Sequence, residues 1–151
     1  MRNTLNKLVS EYAEKNGMEC NMEPGSCQAT LVCEGLEVQL GLAEESGMLL
    51  IQTGVGLLQT TGGEEYCRMI LAANNAFSGT QGFTLGLDED LELITLQVTS
   101  PLMPLTDETF SNLMNNLLTV AADWLVRLND WRPSAPEVSD DVLSMGDYIR
   151  I

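Results

Sequence analysis

From Phe110 to Trp131 the chain keeps apolar residues at three- and four-residue steps: Phe110, Leu113, Met114, Leu117, Ala121, Trp124, Leu125, Leu128 and Trp131. Counted from the first turn at Asp107, this is one face of an α-helix sustained for about 25 residues, or roughly 37 Å of axis. Such a length is suited to lying across a whole β-sheet. Pro101 and Pro104 precede it, Thr106 is placed to cap it, and Asp107 and Glu108 fall in its first turn, where they suit the helix dipole.

The rest of the chain offers the sheet. Cys27 to Cys33, Leu36 to Ala43 and Met48 to Val55 read as strands joined by the short links Glu34-Gly35 and Glu44 to Gly47, which predicts an antiparallel meander. In the second run Leu36, Val38, Leu40 and Leu42 alternate with Glu37 and Gln39, as in a sheet with one wet face. The third run opens with four apolar residues, Met48 to Ile51, so both its faces need cover. A second strand pair, Phe83 to Leu87 and Leu91 to Ser100, flanks the acidic trio Asp88-Glu89-Asp90, which reads as a solvated hairpin loop. Ahead of the meander, Leu5, Leu8, Val9, Tyr12 and Ala13 predict a helix ending at Gly17, and "MECNMEPGS" reads as a linker turning at Pro24-Gly25.

Between the strand groups, Glu64 to Phe77 predicts a helix of a different kind. Tyr66, Cys67, Met69, Ile70, Leu71, Ala73 and Phe77 occupy more of its circumference than the roughly 100° stripe one contact surface requires. Asn74, Asn75 and Gly79 read as its termination signals, since asparagine and glycine tolerate the left-handed conformation.

Seven basic residues against 22 acidic ones give a formal charge of −15, which argues against nucleic acid and anionic membranes as partners. No apolar run reaches the roughly 18 residues a membrane span needs, and the first residues mix charge with leucine unlike a signal peptide, so a cytoplasmic location is expected. The chain contains no histidine, so Ser-His and Cys-His nucleophile pairs are excluded. Cys20, Cys27, Cys33 and Cys67 lack C-x-x-C spacing and read as reduced, small apolar residues rather than zinc ligands. No catalytic residue, metal site or cofactor is expected. Residues 1–131 form the expected domain, and the proline-containing acidic stretch 132–151 reads as a tail.

The order helix, three-strand meander, helix, strand pair, long helix resembles the class I type III secretion chaperones, the Tir chaperone family. The pieces that carry the likeness are "LNKLVSEYAEKNGM", "GSCQATLVCEGLEVQL", "CRMILAANNAF" and "AADWLVRL", in that order. The resemblance implies an α+β homodimer with no enzymatic activity. It would bind the N-terminal segment of an effector protein, hold it extended for secretion, and have the secretion ATPase as a further partner. It also explains the wide apolar arc. One side of the middle helix would pack on its own sheet while Tyr66, Met69, Ile70, Ala73 and Phe77 meet a second copy. Leu5, Leu8 and Val9 on the first helix, with Met48 and Leu50 on the third strand, are the expected partner-binding residues, lining a groove between the two elements. A regulatory or adaptor module of the same fold without a secretion role is the alternative.

Overall fold

Alternating side chains along the strand runs sort onto the two faces of one antiparallel sheet. The computed structural model describes residues 1–134. Within them β1 (Glu19–Asn21), β2 (Gln28–Cys33), β3 (Leu36–Ala43), β4 (Met48–Leu57), β5 (Thr84–Asp88) and β6 (Leu93–Pro101) stand in the order β1-β2-β3-β4-β6-β5. The expected meander is β2-β3-β4, and the expected strand pair is β5-β6. What the pattern did not show is β1, which lies inside the stretch read as a linker and pairs Cys20 with Leu31 at the sheet's edge. Pro24 and Gly25 do turn the chain, but between two strands.

Register assigns the faces. Leu31, Val38 and Thr53 align across β2, β3 and β4, as do Ala29, Leu40 and Ile51. These side chains, with Leu42, Leu49, Val55, Ile94 and Leu96, are buried on the inner face beneath the helices. A β-bulge at Gly54 to Gly56 accelerates the twist at the end of β4. A Cβ at Gly56 would lie 2.9 Å from Leu128, so only glycine lets the long helix approach here.

That helix is α3 (Asp107–Asp130), and it buries Phe110, Met114, Leu117, Val120, Ala121, Trp124 and Leu128. Each large side chain among them contributes about 1.5–3 kcal/mol of burial. Thr106 caps it as the sequence suggests, in a reciprocal box with Thr109. The first helix, α1 (Arg2–Asn16), packs Leu5, Leu8, Val9, Tyr12 and Ala13 into the same core and stops at Gly17 in the left-handed conformation. Tyr12 meets Phe110 edge-on at 5.8 Å and donates its hydroxyl hydrogen to Asn115 Oδ1 at 2.7 Å, tying α1 to α3.

The middle helix is shorter than its pattern implied. α2 spans Gly63–Asn74 and gives way to a 3-10 turn at Asn75–Phe77. The asparagines do not end it by adopting the left-handed conformation; Ala76 and Phe77 carry the positive φ values instead, 52° and 55°. Gly79 then closes the corner by donating its N–H to Ala73 O at 3.0 Å and accepting from Trp124 Nε1 at 3.1 Å.

Candidate partner-binding surfaces

Three parts of the surface stand apart from the rest, and the first is the sheet's outer face. Thr84, Gln97, Gln52, Gln39 and Thr30 align across five strands, with Thr99, Leu50, Gly41 and Gln28 in the next row and Met48 opposite Ala43 beyond it. Gln52 donates to Gln39 at 3.1 Å, and Gln39 donates to Glu37 at 3.1 Å. In a chain this acidic, those rows carry no charge. Met48 and Leu50 are half-buried there, outside the core.

The expected groove between α1 and β4 is not formed. Leu5, Leu8 and Val9 point to the inner face, where Leu5 and Val9 are completely buried, whereas Met48 and Leu50 point to the outer one. The period of two along β4 separates them: Leu49 and Ile51 face α1's side of the sheet, and their neighbours cannot.

The second surface is the outward side of α2. Tyr66, Ile70 and Ala73 are buried in the chain's own core and Met69 is packed against it, so these four do not form an exposed interface. The wide arc is nonetheless two-sided. Cys67 and Leu71, one helical turn apart, face solvent, Leu71 being 68 % exposed, and Phe77 beyond the helix is 52 % exposed. Of the residues expected at a dimer interface, Phe77 alone presents an open apolar face.

Asn74 has a role that helix-capping signals gave no hint of. Its side-chain amide donates to Leu85 O at 2.9 Å and accepts from Leu85 N–H at 2.8 Å. The amide thus mimics a neighbouring strand and covers the outward edge of β5 at this point.

The third surface is the end of the chain that leaves α3. Trp131 stacks edge-on against Tyr66 at 4.9 Å, and Tyr66 donates its hydroxyl hydrogen to Leu57 O at 3.0 Å. Ser134 donates its N–H at 3.0 Å and its hydroxyl at 2.6 Å to the Glu65 carboxylate, which holds that carboxyl below its ordinary 4.5. Gly62 lies underneath, where a Cβ would sit 2.6 Å from Pro133 and 2.9 Å from Trp131. Residues 131–134 therefore strap the start of α2. The remainder of the expected tail, 135–151, lies outside the described residues.

Elsewhere Glu89 and Asp90 stand in the expected turn, whereas Asp88 closes β5 opposite Leu93 and its Oδ1 accepts the amides of Asp90 and Leu91 at 3.1 Å each. At the far end of the sheet Arg2 donates to Glu44 at 2.7 Å and, with Cys27 close by, pushes the Glu44 carboxyl down to about 2. Among the cysteines, Cys20, Cys27 and Cys33 are partly buried and Cys67 is exposed, all with free thiols.

Over residues 7–125 the chain matches the model of the Tir chaperone protein (CesT) family. The chain belongs to this family. Its activity is therefore that of a non-enzymatic, effector-binding type III secretion chaperone family. Among solved structures, a chain of the ExsC–ExsE complex superposes with a TM-score of 0.72 at 25% identity, over 85% of this chain and 96% of that one. The HopA1–SchA chaperone–effector complex contains a similar fold, with a TM-score of 0.63 at 18% identity over 83% and 95% of the two chains. So does the Yersinia pestis type III secretion chaperone SycH in complex with a fragment of YscM2, with a TM-score of 0.55 at 22% identity over 81% and 97%. Comparison with curated protein sequences returns no match. Among the described residues no helix is long and apolar enough to cross a membrane.

Proposed function

We propose that this member of the Tir chaperone family acts in the cytoplasm as a homodimer. In this reading it binds the N-terminal segment of an effector, keeps that segment extended, and hands it to the secretion apparatus, with the secretion ATPase as the receiving partner. The observation that carries the reading is the outer sheet face: uncharged rows of glutamine, threonine and glycine with Met48 and Leu50 half-buried among them, in a chain of net charge −15. Such a face supplies apolar anchors and side-chain amides to a chain laid across it. The exposed Leu71 and Phe77 provide the matching argument for a second copy.

Affinity capture from the native cytoplasm tests this directly. One stoichiometric protein that is subsequently exported supports the chaperone, and a stoichiometric partner that is never exported supports a regulatory adaptor of the same fold. Replacing Met48 and Leu50 together by serine is expected to leave the fold intact and to weaken the captured complex by roughly 2 kcal/mol or more, the scale of interface anchors. Full affinity in a folded double variant would move the client to another face.

A further inference from the structure

The hairpin at Asp88 to Leu93 forms one wall of a cleft of about 500 Å³ at the end of the sheet where β4 finishes. The turn between β2 and β3 forms the other. Leu91, Leu93 and Leu125 supply its apolar floor, and Leu91 is 65 % exposed in the free chain. Gly54 leaves room for that floor: a Cβ there would sit 2.7 Å from a Leu93 methyl group and would push it aside. Glu34 and Glu37 stand on one wall and Asp88 on the other. Among the described residues no lysine or arginine lines the cleft.

We infer that this cleft is a second docking subsite, adjoining the Met48/Leu50 face, for an extended peptide segment with an aliphatic side chain flanked by arginine or lysine. The inference rests on the partner-binding reading above and specifies the chemistry one part of the partner must have. The aliphatic side chain covers the exposed leucines, and the flanking cations reach the carboxylates on either wall. Arginine fits better than lysine, because its planar fork can engage a carboxylate through two parallel hydrogen bonds. An acidic segment meets three like charges and is rejected. Gln39 and Gln52 also line the cleft, offering amide groups to the segment's backbone where the cleft opens onto the outer face.

The test uses the full chain and three labelled synthetic heptapeptides: one alternating arginine with leucine, one glutamate with leucine, and one arginine with glycine. Only the first is expected to bind with amide shifts centred on Gly54, Leu91 and Leu93 in a nuclear magnetic resonance titration. Replacing Glu34 and Glu37 by glutamine and Asp88 by asparagine keeps an acceptor for the turn amides that Asp88 holds. That triple variant is expected to weaken binding roughly tenfold, as partly solvated charge pairs do when several act together. Glu14, Glu19 and Glu23 changed to glutamine remove the same charge elsewhere and are expected to change affinity by less than about threefold. Leu91→Ser, at an exposed site, provides an independent loss should the triple variant fail to fold. Equal losses in the two triple variants, equal binding of the arginine–glycine peptide, or shifts centred on another face overturn the subsite. If affinity capture yields no partner while the heptapeptide titration behaves as expected, the chaperone reading fails and the cleft stands.

Discussion

Asn74 offers a sharp test of how the sheet's β5 edge is protected. Changing it to alanine removes two partly buried hydrogen bonds, of 2.8 and 2.9 Å, and leaves the N–H and C=O of Leu85 facing the side of α2. If both groups stayed dry the loss would be about 1–3 kcal/mol for each. An edge strand admits water, which puts each near the lower bound, and alanine's better helix propensity returns up to about 0.7 kcal/mol. The expected net cost is therefore about 1.5 kcal/mol, or roughly 5 °C in the thermal midpoint of a chain this long. Urea unfolding followed by circular dichroism measures it, and light scattering should show the uncovered edge self-associating. Aspartate makes the test more discriminating. Its carboxylate can accept from Leu85 N–H but repels Leu85 O, so its folded pKa is raised above the unfolded value of about 3.9. The penalty relative to asparagine should then be least below about pH 4 and grow as pH rises through the folded value. An alanine variant within about 0.5 kcal/mol of the parent, with no change in association, would refute the edge-covering role.

Two further outcomes follow from the same helix. Leu71→Asp should leave a folded chain that sediments as a monomer where the parent is a dimer at micromolar concentration, whereas Ile70→Asp buries a charge in the core and should unfold the chain; a dimeric Leu71 variant would place the contact elsewhere. The Glu65 carboxyl is lowered by its hydrogen bonds from Ser134, so its contribution to holding the strap is present above its ordinary 4.5 and is lost as pH falls through the folded value. Trp131 fluorescence should report release of the strap in acid, and Glu65→Gln should flatten that pH response; an identical response in the variant would assign it to another group.

The parts of the fold that could be read from the sequence are those decided by local period. α1 and α3 each bury one stripe, and their caps at Gly17 and Thr106 depend on neighbouring residues only. The alternation of Leu36 to Leu42 likewise marks β3 to the residue. β1 escaped because three residues carry too little pattern; Glu19, Cys20 and Asn21 become a strand through pairing with Val32, Leu31 and Thr30. The placement of β6 beside β4 joins residues 36 (Leu57 and Leu93) to 53 (Met48 and Pro101) positions apart, and no local signal encodes it.

The candidate surfaces were less legible because they depend on which side of an element remains uncovered. The apolar excess on α2 leaves Cys67 and Leu71 facing solvent, and a helical wheel alone does not say which side its own sheet takes. Tyr66 illustrates the ambiguity: its ring is covered by Trp131, a residue 65 positions later that follows the last helical residue of α3 in an extended conformation. The same limit applies to Met48 and Leu50. Four consecutive apolar residues announce that β4 needs cover on both faces, but only the register shows the inner pair, Leu49 and Ile51, satisfied by this chain. The outer pair lies among uncharged side chains, where desolvation by a partner costs less than it would beside the chain's many carboxylates. That difference in desolvation cost, more than hydrophobicity itself, is the reason for proposing the outer face as the client surface.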